Sequence, residues 1–137
     1  MKIYLSLFVV ILMMAFIGCQ PNLVVQDAQI DFAEKTVQVF VKNIGDKDAG
    51  EHLTYIEIND VSASNSLKPQ TQFSAKVSGI AVGNSWNSGP IPFSDFSSHR
   101  GLDLYSLTLA NLVVRADAKN MVTESNENDN VLDENRP

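Results

Sequence analysis

The sequence predicts an all-β domain, a seven-stranded antiparallel β-sandwich that follows an N-terminal export segment. Three observations carry the prediction. Apolar and polar residues alternate with period two in several short stretches, while helical periodicity is scarce. Clusters of Gly, Asn, Asp, Ser and Pro punctuate those stretches at short intervals. The chain from Cys19 onward, about 119 of the 137 residues, is the size of one domain with a single core.

Composition narrows the classes. With 45% hydrophobic and 19% charged residues the chain is ordinary globular material rather than disordered. From Cys19 on, nine basic residues face all sixteen acidic ones, a net charge of −7. An acidic domain without a basic stripe does not suit nucleic acid, whose phosphates need clustered Lys and Arg. Nor does it offer a polybasic patch to an anionic lipid surface. The single cysteine excludes an internal disulfide and the paired-cysteine motifs of zinc and redox sites.

In chain order, Met1-Lys2 is a short positive start, Ile3 to Ile17 is apolar apart from Ser6, and Gly18 precedes Cys19. About 15 apolar residues are too few to cross a bilayer, which needs about 20. Plain secretion fits less well, because Phe16 occupies the place where small-x-small cleavage sites want a small side chain. Phe16-Ile17-Gly18-Cys19 resembles the lipobox of bacterial lipoproteins. That resemblance implies cleavage before Cys19, lipidation of its thiol, a signal peptide at 1–18 and a domain at 19–137. Several buried acyl chains would hold the domain on a membrane. Gln20, in place of the Asp that retains lipoproteins at the inner membrane, implies transfer to the outer membrane.

Leu23 to Asp31 reads as the first strand, with a phase slip between Val25 and Ala28 that marks a bulge. Phe32 to Lys35 is a turn. Thr36 to Asn43 is the clearest strand, with Val37, Val39 and Val41 on one face and Phe40 interrupting the polar face. Asn43 to Gly50 has turn chemistry throughout. His52 to Ile58 is a third strand, Val61 to Gln70 a polar loop, and Phe73, Ala75 and Val77 define a fourth strand. A fifth surrounds Trp86 and runs toward Pro90 and Pro92, which suit an edge. Ser94 to Ala110 fits neither period and is expected to be a loop with one helical turn. Leu112, Val114 and Ala116 define a sixth strand. The seventh is expected to begin at Met121 to Glu124, break at Ser125 to Asn130 and resume at Val131-Leu132, with a frayed tail from Asp133.

The stretches Pro21-Asn22-Leu23-Val24-Val25, Val39 to Gly45, Asp48-Ala49-Gly50, Ala81 to Ser85, Val113 to Asp117 and Val122 to Asn130 occur in an order that resembles the CARDB domain. The likeness spans about Pro21 to Val131 and is most specific at Glu124 to Asn130. It implies an immunoglobulin- or fibronectin-like sandwich that is exported, non-enzymatic and associated with surface proteins.

Carboxylates and amides converge in Glu124 to Asn130, and hard cations such as calcium want oxygen ligands of this kind. Asp117, Glu124, Asn126 and Asn128 are therefore the calcium candidates. The competing reading is structural, since Asn side chains bond neighbouring backbone and fix irregular strand ends. His52 and His99 read as surface or half-buried residues without ligand partners. No G-x-S-x-G, S-x-x-K or phosphate-loop pattern is present. Trp86, Tyr55 and Tyr105 are candidates for stacking on a sugar or anchoring a protein; for Trp86 the competing expectation is a place in the core. Together these features predict a non-enzymatic, lipid-anchored envelope protein that binds a protein or glycan partner, with calcium as the one cofactor to test.

Overall fold

The computed structural model describes residues 19–61, 71–98 and 101–137. The export segment, most of the polar loop before Thr71, and His99 lie outside the described residues. Both sheets and their core are built from residues beyond Cys19.

Among the described residues nine strands form two antiparallel sheets. They are β1 (Leu23–Asp31), β2 (Thr36–Asn43), β3 (His52–Asp60), β4 (Thr71–Val77), β5 (Ser85–Asn87), β6 (Ile91–Pro92), β7 (Ser97–Ser98), β8 (Ala110–Arg115) and β9 (Val131–Arg136). In the first sheet β1 and β5 flank β2, and β6 pairs with the other end of β2; the second has the order β7-β4-β3-β8-β9. This is the expected sandwich, its seven longer strands supplemented by the two-residue β6 and β7.

The alternation explains the core. Val37, Val39 and Val41 of β2 point inward and meet Ile56 and Ile58 of β3 and Leu112 and Val114 of β8, all fully buried. In β1 the register shifts between Val25 and Asp27. Leu23 and Ala28 are five residues apart and would face opposite ways in a regular strand. The bulge turns both into the core.

Four details differ from the sequence reading. His52 is neither a surface nor a half-buried residue: it is fully buried at the start of β3, where its Nδ1 donates to the Gly50 carbonyl at 2.9 Å. Ser94 to Ala110 holds more than one turn, since 3-10 turns at Phe93–Asp95 and Leu104–Ser106 bracket β7. Met121 to Glu124 is not a strand. Asp117 adopts a left-handed conformation (φ 45°) and its carboxylate accepts the amides of Met121 and Val122, which curls the chain into a loop. The tail is not frayed, because β9 pairs with the whole of β8 from Arg115–Val131 to Ala110–Arg136. As an edge strand, β9 packs Leu132 against the core and is otherwise held by its pairing to β8. Side-chain bonds from Asn111 to Asp133 (2.7 Å) and Asn135 (3.3 Å) support the pairing.

The two ends of the sandwich differ. One end gathers the N-terminal lead (residues 20–22), the β2–β3 turn, the residues after β4 and the β8–β9 loop. The opposite end carries the β1–β2 turn, with Phe93–Asp95 and Leu104–Ser106 beside it: Phe93 N donates to Lys35 O (2.9 Å) and Lys35 Nζ to Tyr105 O (3.3 Å).

Candidate functional site

Polar groups are concentrated where the N-terminal lead enters the fold. Asn43 ends β2 fully buried, and its side chain is saturated. Oδ1 accepts the amides of Asn22 (3.1 Å) and Gly45 (3.0 Å), while Nδ2 donates to the carbonyls of Lys47 (2.7 Å) and Ile80 (3.0 Å). Gly45 lies directly under the lead. A Cβ there would come within 2.6 Å of the Pro21 carbonyl carbon and closer still to Gln20 O and Asn22 N. Only glycine lets the lead lie flat on this turn. The Lys42-Asn43-Ile44-Gly45 run is therefore a seat for the chain's entry into the fold.

Backbone bonds pin the lead on both sides. Gln20 O accepts Asp46 N (3.0 Å) and Asn22 O accepts Ile44 N (2.8 Å) from the β2–β3 turn, while Pro21 O accepts Ser125 N (3.0 Å) from the β8–β9 loop. The Leu23 amide donates to Glu124 Oε2, and Asn130 Nδ2 donates to Glu124 Oε1 at 2.9 Å. Asn22 Nδ2 donates to Asp129 Oδ2 at 3.1 Å, and Glu127 Oε1 accepts the Glu124 amide at 2.9 Å. Glu124, 6% exposed, is the hub of this junction. Burial raises its pKa to about 7 from an ordinary 4.5, and the negative charges of Glu127 and Asp117 push the same way. The hydrogen bonds from Leu23 and Asn130 favour the carboxylate and oppose the rise.

The calcium candidates do not act as one set. Both oxygens of Asp117, which is 1% exposed, cap backbone amides, while Asn126 and Asn128 lie exposed with Asn126 Oδ1 accepting Asn128 N at 3.1 Å. Of the four, Glu124 alone faces the lead. Among the described residues no three His, Cys, Asp or Glu side chains converge as a metal cluster. Asn130, which belongs to the segment singled out in the sequence, carries the junction instead, together with Asn22, Asn43 and Asp129, which were not candidates. The signal was present in Asn130, at the end of the Asn-rich run, and in Asn43, at the end of the best strand.

The three aromatic candidates are dispersed. Trp86 pairs with inward-facing Val41 in β5 and packs half-buried against the core. Tyr55 is half-buried in the second sheet, opposite Arg115 and Ser74. Tyr105 is 55% exposed at the end remote from the lead and meets Phe93 edge-on at 6.1 Å. There a cleft of about 260 Å³ is lined by Phe93, Phe96, Leu102, Asp103, Leu104 and Tyr105 among others.

Residues 20–134 match the family model named CARDB. Two solved structures are similar. One is a domain of a protein described as a cell surface protein from Methanosarcina acetivorans, 19% identical, covering 85% of this chain and 90% of that one with a TM-score of 0.59. The other is the CARDB domain of a Pyrococcus furiosus protein in complex with di-metal ions, 18% identical, covering 86% of this chain and 88% of that one with a TM-score of 0.51. No curated protein matches the sequence.

Proposed function

The chain belongs to the CARDB family, and from that membership we propose that it is a non-enzymatic, lipid-anchored module of the bacterial cell envelope whose sandwich binds a protein or glycan partner. Cys19 is the anchor, and Gln20 directs it to the outer membrane. The observation that carries the reading is the polarity of the fold. The lead is hydrogen-bonded from Gln20 onward, one residue after an exposed, free Cys19. Acyl chains on that thiol would hold the lead end against the membrane and turn the opposite end, with Tyr105 and its cleft, toward partners. Loops at one end of a sandwich commonly carry recognition. A likeness to a cell surface protein domain supports an envelope location.

Photo-crosslinking in intact cells tests this reading. A reactive residue at Tyr105 or Leu109 captures a macromolecular partner, whereas one at exposed Ser125 does not; capture chiefly at Ser125 contradicts the orientation. A glycan array with Tyr105→Ala separates a sugar partner from a protein partner. A second reading, a metal-stabilised module with calcium as the ion, is supported by the oxygen-rich junction around Glu124 and by the di-metal complex of the Pyrococcus domain. It adds a stabilising ion to the first reading and leaves the partner unchanged.

A further inference from the structure

We propose that the side-chain oxygens of Asn22, Asp129 and Asn130, with the Glu124 carboxylate beside them, form the binding site of a calcium-type cation, and that the bound ion clamps the N-terminal lead to the β8–β9 loop. The proposal rests on the metal-binding reading above and adds the ligand set and the segment it controls.

Three buried oxygens lack any hydrogen-bond donor: Asn22 Oδ1, Asp129 Oδ1 and Asn130 Oδ1. Asn22 and Asn130 are only 8% and 4% exposed. Leaving a buried acceptor unsatisfied is costly. Elsewhere among the described residues the unsatisfied buried side-chain atoms are His52 Nε2, Thr54 Oγ1 and Arg136 Nε. The three junction atoms are all oxygens, and they belong to groups already bonded to one another's neighbours. The Asn22 amide is fixed by Nδ2 on Asp129 Oδ2 (3.1 Å), so its free oxygen and the free Asp129 oxygen each lie one bond angle from that contact. The Asn130 amide is fixed in the same way on Glu124 Oε1 (2.9 Å).

Charge points the same way. Asp117, Glu124, Glu127 and Asp129 share the β8–β9 loop, and among the described residues no Lys or Arg forms an ion pair with any of them. Three carboxylates do not converge by themselves, so an ion here is completed by amide oxygens and water. Calcium accepts this mixture, taking six to eight oxygens in flexible geometry. Magnesium demands a near-ideal octahedron, and the junction offers neither thiolate nor imidazole to a softer metal. The lead lies on one side of the site through Asn22 and the loop on the other through Asp129 and Asn130. An ion between them ties the entry of the chain to the sandwich.

The test uses the chain from residue 19 with Cys19→Ser, with calcium chloride, magnesium chloride and a chelator as the probes. Calcium at about 5 mM raises Tm by about 5 °C relative to chelator. It also slows hydrogen exchange at the Leu23 and Ser125 amides, while magnesium does less. Asp129→Asn keeps an oxygen for Asn22 Nδ2 and removes the charge. This variant weakens calcium binding at least about tenfold, and Asn126→Ala and Asn128→Ala leave it intact. Calorimetric titration of the folded variants at about 10 °C makes the same comparison independent of melting. An undiminished calcium response in Asp129→Asn, loss of the response in Asn126→Ala, or a magnesium response equal to that of calcium overturns this site and leaves metal binding itself standing. No response of the parent chain to either ion overturns both.

Discussion

Replacing Glu124 by alanine should destabilise the fold by an amount that depends on pH. The substitution strands two buried donors, the Leu23 amide and Asn130 Nδ2. Each costs about 1–3 kcal/mol without an acceptor, so roughly 4 kcal/mol is lost where Glu124 is protonated in the native state. Its folded-state pKa of about 7 lies above the ordinary 4.5. The folded state therefore holds its proton more tightly than the unfolded state does. The resulting stability is fully present below the unfolded pKa and is lost as pH rises through about 7. At about 1.4 kcal/mol per pH unit, the change between pH 5 and pH 8 is about 2–3 kcal/mol. Alanine carries no such term. Urea denaturation of parent and Glu124→Ala chains in chelator should therefore give a difference of about 4 kcal/mol at pH 5, shrinking to about 1–2 kcal/mol at pH 8. Subtracting the two chains removes the titration of the other carboxylates. Glu124→Gln should abolish the pH-dependent part, because an amide does not titrate, and should keep the junction bonded, since the Asn130 amide can turn over and offer its free oxygen to the introduced amide. Equal costs at pH 5 and pH 8, or negligible costs at both, would refute the claim that a buried, proton-retaining carboxyl holds the lead.

Three further outcomes follow from the same geometry. Gly45→Ala forces a methyl group into the Gln20–Asn22 backbone; it should cost about 1–3 kcal/mol in urea denaturation and accelerate hydrogen exchange at Asp46. Asn43→Ala removes four hydrogen bonds from a fully buried site and should cost about 3–5 kcal/mol, measured by the denaturation midpoint at constant slope. Leu112→Ala opens a cavity between the sheets and should cost about 2–5 kcal/mol, without changing calcium binding or exchange in the lead.

Strands whose two faces differ were legible in the sequence. The alternation in Thr36–Asn43 gave the correct bounds and inward face because one side of β2 packs on the other sheet. The phase slip near Val25 showed as a bulge for the same reason, since the core demands both Leu23 and Ala28. β9 was only half legible, because as an edge strand it draws order from backbone pairing to β8 and inserts only Leu132, so its sequence reads as a polar tail. His52 was misjudged because residue type alone does not reveal a ring buried against its own turn carbonyl. The Asn-rich run was legible as an oxygen-rich element, while its partner Asn22, and Asn43, which accepts the Asn22 amide, were not. Their importance comes from the lead folding back across residues twenty to a hundred positions away, a non-local contact that no local pattern encodes.

The central claim is that the fold is held at its lead end by a lipid on Cys19. Fractionation of cells expressing the full chain and its Cys19→Ser variant tests it most directly. The parent should remain in the outer-membrane fraction after high-salt washing and leave it only with detergent, while Cys19→Ser should yield a folded protein in the soluble fraction. A variant that stays in the membrane, or a parent that washes free with salt, would contradict the account.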